Sequence, residues 1–364
     1  MKQQHSTSNR GNGNLVIMRR LFVAACITAA FIAGRFASAD EVTRRSTKKS
    51  VKGKIEKITA AQIVIKARTG GNVTIPVDDV VRVRFDGEPA SLNLARTSEL
   101  NGALDRALDG FTKAKEANKD DKKLATELDF LIARTYSRMA SASAEKSDKA
   151  VELLTAFTKT HTNNIRFYEA TSLLSSIYLQ KGDIAKARET VAPLNSAPVK
   201  SLKMTAQIIE GRALLAEQNP AEAAKAFQAA AAMAGNEPSE KAKGLEGLLG
   251  SAICQQRQQQ FDQAIATLDQ VLEKTSIADT AVQAEAYLRR GDVYRSQDKN
   301  KEAIFEYLHV DLLFSAHKNL HAEALFNLAQ LWSLNGHADR AAEAKAALTS
   351  QYGASAWAKK IAGG

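Results

Sequence analysis

The sequence predicts a mainly α-helical chain: an α-solenoid of about seven helix pairs, preceded by a small four-stranded antiparallel β module. Three observations carry this. A small residue recurs in helical text at Ala107, Ala150, Ala187, Ala223, Ala264, Ala303 and Ala341, separated by 43, 37, 36, 41, 39 and 38 residues, as stacked copies of one unit require. Between Val51 and Phe85 the apolar period is two instead, the mark of strands. Aromatic residues make up only 6% of the 364 residues, which suits thin helical layers better than a thick mixed core.

The first element is an export segment, residues 1–39, with Lys2, Arg10, Arg19, Arg20 and Arg35 and no acidic residue. After Met18, two arginines lead into an apolar run from Leu21 to Ala33, and Ala37-Ser38-Ala39 precedes Asp40. That order of basic head, apolar middle and small residues is that of a signal peptide. Its thirteen-residue run covers about 20 Å as a helix, too short for an ordinary span. Cleavage after Ala39 is expected, which leaves no transmembrane span and a periplasmic or cell-envelope location. Two other routes read from the same letters. Val23-Ala24-Ala25-Cys26 resembles a lipoprotein cleavage box, and Arg19-Arg20-Leu21-Phe22-Val23 a twin-arginine motif. Translation from Met1 or from Met18 fits equally. Without the segment, 45 basic residues face 40 acidic ones, a mild surplus that argues against nucleic acid as partner. Cys26 leaves with the segment, so Cys254 stands alone and no internal disulfide is expected. In helical text it reads as a small buried residue.

Residues 40–50, DEVTRRSTKKS, show no periodicity and are expected to be a basic linker. From residue 51 to 87, Val51 and Ile55, then Ile63 and Ile65, then Val73 and Ile75, then Val81, Val83 and Phe85 give four short strands in a meander, with a turn at Thr69-Gly70-Gly71. So short a sheet cannot bury a core alone. It must curl into a tiny SH3-like or Sm-like barrel or pack on the helices that follow.

Residues 88–358 are expected to be the solenoid, with 359–364 as a tail. Its clearest unit is Ala284 to Phe314. Tyr287, Gly291 and Tyr294 share one helix face, and Ala303, Tyr307 and Val310 share one face of the next. The first helices supply their own small residue at Ala95, Ala133, Ser175, Gly211, Gly250, Gly291 and Ala329, which lets two backbones approach closely. Asn300 is placed to cap a second helix, and Asn219-Pro220 with Glu222 reads as a helix start. This spacing of small, large and aromatic residues resembles the tetratricopeptide repeat. The family's unit has about 34 residues; the excess here is assigned to connectors such as Ser141 to Asp148 and Gln255 to Gln260. The resemblance implies a right-handed superhelix whose concave groove is lined by first helices, and a role in holding proteins or peptides.

The residue after each small contact should then face the groove. The candidate partner-binding residues are Arg96, Arg134, Arg138, Arg212, Asp292, Arg295 and Gln330. Arginines at one repeated place suit an acidic peptide or protein through forked hydrogen bonds. No G-x-S-x-G, phosphate loop, dinucleotide loop or cysteine pair occurs. His317 and His321 lack a third metal ligand, and Asp78-Asp79 and Asp120-Asp121 read as loop residues. The expectation is a non-enzymatic envelope scaffold without cofactor or metal, with an alternative in which the basic linker and β module bind an anionic polymer. Trp357 and Ile361 have no later repeat to cover them, so an oligomer can form there.

Overall fold

The computed structural model describes residues 39–141 and 143–363, so the expected export segment, apart from Ala39, lies outside the described residues. The sheet has five strands, not four. β1 (Asp40–Arg44), β2 (Ser50–Ile58), β3 (Gln62–Ala67), β4 (Asn72–Pro76) and β5 (Val80–Arg84) are antiparallel, in the order β4-β3-β2-β1-β5. The expected linker is therefore corrected: its first five residues are an inner strand, paired with β2 on one side and β5 on the other. Val42 is the single apolar residue of β1 and is fully buried. One such residue is too few to display a period of two, which is why the strand is invisible in the sequence. β4 and β5 do not pair, so the sheet is open rather than a barrel. Its inner face, including Val42, Ile55, Ile63, Ile65, Ile75 and Val83, joins one core with Leu92, Phe111, Leu128 and Phe130 of the first helices.

Fourteen of the fifteen described helices form seven pairs. They are α1 (Ala90–Leu100) with α2 (Leu104–Ala117), α3 (Lys122–Met139) with α4 (Ala144–Thr160), α5 (Phe167–Gln180) with α6 (Ile184–Val191), and α7 (Lys200–Ala216) with α8 (Pro220–Ala232). The array continues with α9 (Pro238–Arg257) and α10 (Phe261–Lys274), α11 (Thr280–Ser296) and α12 (Asn300–Leu313), and α13 (Lys318–Leu334) and α14 (Ala338–Tyr352). A last helix, α15 (Ala356–Ala362), runs across the boundary expected at residue 358. It folds back so that Trp357 meets Phe326 with ring centroids 5.0 Å apart, which partly covers the apolar surface expected to be open.

All seven first-helix small residues are buried, and the reason is contact with the next helix. A Cβ on Gly291 would stand 2.6 Å from the Tyr307 ring, and one on Gly211 would stand 2.8 Å from Phe227. Phe227 also presses on Gly250 of the following pair, so one ring fills the gap between two repeats. In six of the seven pairs the turn places one left-handed residue two positions before the second helix: Gly102, Gly182, Gln218, Gln259, Asp298 and Gly336. This is the usual helix stop, and half of the instances manage it without glycine. Most of the extra length lies in the helices, 18 residues in α3, 17 in α4 and 20 in α9, rather than in the connectors. Asn219 caps α8 as expected, accepting from the Glu222 N–H at 3.4 Å, whereas Asn300 is the first helical residue of α12 and caps nothing. The array turns far enough that Lys318 at the start of α13 comes beside Gly102 of the first pair.

Candidate functional site

Three features shape the inner side of the array: arginine ladders between first helices, the β module laid across helix starts, and a groove at the C-terminal end. The ladders account for most of the expected groove arginines. Arg96 is not in the groove. It is 7% exposed, donates to Glu88 Oε2 at 2.5 Å and to the Val83 carbonyl at 3.1 Å, and fastens α1 to the sheet. Arg134 donates to both Glu99 oxygens at 2.9 and 2.7 Å and reaches Glu169 at 3.4 Å. Arg138 donates to the Glu99 carbonyl at 2.6 Å. Arg212 meets Glu246 at 2.7 Å. Asp292 accepts from the Tyr307 hydroxyl at 2.7 Å and pairs with Arg289, which in turn reaches Glu323 at 2.9 Å. The partners of Arg134, Arg212 and Arg289 lie 34 or 35 residues away, one repeat along. These charges join neighbouring repeats.

The strongest pair was not foreseen. Arg166 and Glu127 are each 5% exposed and share two hydrogen bonds of 3.1 and 2.7 Å. Burial pushes the Glu127 carboxyl upward, but Arg166 beside it outweighs burial and holds it below the ordinary carboxylate range. Next to this pair, the β module crosses the starts of several first helices. Asp78 accepts from the hydroxyls of Ser201 on α7 at 2.9 Å and Ser239 on α9 at 2.8 Å. The Ala60 N–H donates to Asn163 ahead of α5 at 3.2 Å. A cavity of about 430 Å³ remains beneath this contact, lined by Arg45, Asp78, Arg166 and Glu169 among others.

The C-terminal end differs. A groove of about 900 Å³ opens between α13, α14 and α15. Phe326, Ala329, Leu334 and Ile361 give it an apolar floor, and Arg295, Lys345, Lys359 and Lys360 are its cations. No carboxylate residue lines it. Arg295 donates to Asn327 Oδ1 at 2.6 Å and to Gln330 Oε1 at 2.8 Å, neutral amides that orient the guanidinium without cancelling its charge. Of the seven candidate residues, Arg295 and Gln330 are the ones this groove brings together. The lysines at Lys345, Lys359 and Lys360 fall outside the repeat pattern, so sequence reasoning missed them.

No group of three or more metal-ligating side chains occurs among the described residues. Burial pushes the Cys254 thiol up to about 11, so it is inert at neutral pH. His321 is buried between Tyr352 and Asp311, each at 2.7 Å, and holds α13 to its neighbours. No described helix is long and apolar enough to cross a membrane.

Residues 252–309, which cover most of the fifth and sixth pairs, match the family model of the tetratricopeptide repeat. That stretch carries the tetratricopeptide repeat, and the array around it has a tetratricopeptide-like fold. Among solved structures it is similar to a tetratricopeptide repeat protein from Parabacteroides merdae, with 17% identity over 72% of this chain and 92% of the other and a TM-score of 0.48. It is also similar to PilW, a type IV pilus biogenesis factor (18% identity, 65% and 98% coverage, TM-score 0.44). A third is a Rap protein solved with competence and sporulation factor (13% identity, 74% and 77% coverage, TM-score 0.51). At these identities the likeness is one of fold. No curated protein matches the sequence. The tetratricopeptide fold in general mediates protein–protein interaction, and that much of the expected role stands.

Proposed function

We propose that this chain is an exported, non-enzymatic scaffold of the cell envelope that holds an acidic, partly apolar peptide segment of a protein partner in the C-terminal groove. The observation that carries the reading is the groove's lining: an apolar floor, four cations and, among the described residues, no acidic side chain. An extended peptide can lay apolar side chains against Phe326 and Ile361 while its carboxylates meet Lys345, Lys359 and Lys360. Arg295, already held by Asn327 and Gln330, can take a carboxylate without first being ordered. The expected groove residues Arg134 and Arg212 are committed to Glu99 and Glu246, so they serve the scaffold. The envelope location rests on the signal-like residues 18–39.

The test is a display library of ten-residue peptides selected on the full chain and on Lys345→Glu with Lys360→Glu. Peptides rich in Asp, Glu and apolar residues should be enriched by the native chain and lost by the variant. Equal enrichment by both would move the site elsewhere.

A further inference from the structure

Charge is distributed unevenly along the chain. Residues 40–87 hold eleven basic residues and six acidic ones, while residues 88–364 hold thirty-four of each. The entire positive surplus beyond the export segment therefore belongs to the β module. Within the module the two signs have different fates. Asp40 accepts from the N–H groups of Ile55 and Asp86, Asp78 from Ser201 and Ser239, and Asp79 from Arg44 and Ser46. Glu56 accepts from Asn72. Glu56 stays at the surface, whereas the three aspartates are turned to partners of the fold.

The cations are not. Alternation, with a bulge at Glu56, puts Lys52, Lys54 and Lys57 of β2, Lys66 of β3, and Arg82 and Arg84 of β5 on the face opposite the buried isoleucines. Lys54 and Lys66 stand directly across from one another, a repulsive pair that helps neither strand. Two acids share this face: Glu41, lying between Lys52 at 4.0 Å and Arg84 at 3.9 Å, and the bulge residue Glu56, which accepts from Asn72. Among the described residues, Lys54, Lys57, Lys66 and Arg82 have no carboxylate within ion-pair distance. The solenoid covers the other face of the sheet, so this one is left to solvent.

We infer that the outer face of the β module is a docking surface for an anionic lipid bilayer, and that it acts independently of the C-terminal groove. The cations are spread over β2, β3 and β5 rather than along one line, and neighbouring strands are about 4.8 Å apart, so the charged field is about 14 Å wide across the strands. Two-dimensional charge matches a plane of headgroup phosphates better than the single track of a linear polymer. The face also carries no aromatic side chain, so it has no platform on which the bases of a nucleic acid could stack. Lys side chains near an anionic leaflet each contribute a similar small attraction, which salt weakens.

The test compares partition of the full chain onto vesicles of phosphatidylcholine alone and of phosphatidylcholine with phosphatidylglycerol, at low and high salt. The readout is the ratio between the two vesicle types. Lys54→Glu with Lys66→Glu should lower that ratio by more than about 25-fold, since each cation removed is worth about fivefold and an anion replaces it. High salt should lower it likewise. Lys113→Glu with Lys225→Glu makes the same charge change on exposed solenoid lysines and should leave the ratio almost unchanged. Melting curves establish that each variant is folded. Lys54→Gln with Lys66→Gln, which removes charge without reversing it, should show a smaller loss of the same sign. Equal ratios for the β-module and solenoid variants overturn the proposal. So does binding to a single-stranded oligonucleotide with none to anionic vesicles, which would assign the face to a linear polyanion.

Discussion

The two ends of the solenoid use the same residue type in opposite ways. At the N-terminal end Arg96, Arg134 and Arg166 meet Glu88, Glu99 and Glu127 at short distance, and two of those arginines are buried. At the C-terminal end Arg295 meets only amides, and Lys345 and Lys359 meet no carboxylate among the described residues. The β module explains the difference. It removes water from the first pairs, and a cation taken out of water must be matched by an acid. Only the short α15 lies over the last pair, and Lys345 and Lys359 stay exposed to water, so these cations need no partner within the chain. A charge on a repeat face is a binding candidate only where nothing in the fold has already neutralised it.

The contrast can be broken most severely at its buried pole. Arg166→Ala leaves Glu127 charged and enclosed, and should cost about 3–5 kcal/mol, read as a lower midpoint in urea unfolding. The same pair predicts a pH dependence of definite sign. The Glu127 carboxyl lies below its unfolded value of 4.5 when folded, so its stabilisation is present above about pH 4.5 and is lost as pH falls through the lower folded value. In Arg166→Ala that acid-side loss should vanish. If the variant unfolds with the native midpoint and pH profile, the buried pair contributes nothing.

A second prediction concerns the packing common to both ends. Gly291→Leu drives a side chain into the Tyr307 ring, which already stands 2.6 Å from a Cβ position, and should cost about 1–3 kcal/mol by overpacking. An unchanged melting temperature would mean that the pair accommodates bulk there. The smallest effect belongs to the open pole. Lys345→Ala should alter stability by less than about 0.5 kcal/mol, while weakening the proposed peptide capture; a larger loss in urea unfolding would show that the lysine serves the fold.

The repeat architecture was legible because it is written in residues with few alternatives. A glycine or alanine under an aromatic ring, as at Gly291 and Tyr307 or Gly211 and Phe227, recurs with a period that helices alone explain. The left-handed turn residues were harder to read, since Gln218, Gln259 and Asp298 do without glycine what Gly182 and Gly336 do with it. β1 was hidden by having one apolar residue. The candidate site was half legible. Helical periodicity placed Arg134, Arg212 and Arg295 on first helices, yet it could not say which would be neutralised. The missing signal was a second period: Glu169, Glu246 and Glu323 follow Arg134, Arg212 and Arg289 by 34 or 35 residues, and charge matched at the repeat length marks a bond between repeats. Lys359 and Lys360 belong to no repeat, so no period pointed to them.

The hydrogen bonds at Asp78 have a consequence for the order in which the chain takes shape. Ser201 and Ser239 lie 123 and 161 residues after it, so a chain emerging N-terminus first makes its sheet long before the helices that seat it exist. Until the fifth pair arrives, the sheet's apolar inner face must rest on the early pairs alone. Helix pairs otherwise assemble by touching their neighbours, and contacts between residues so far apart in sequence form slowly. Asp78 thus ties the arrival of the fifth of seven pairs to the start of the chain, and a translation product halted before Ser239 would carry a sheet that lacks this bond.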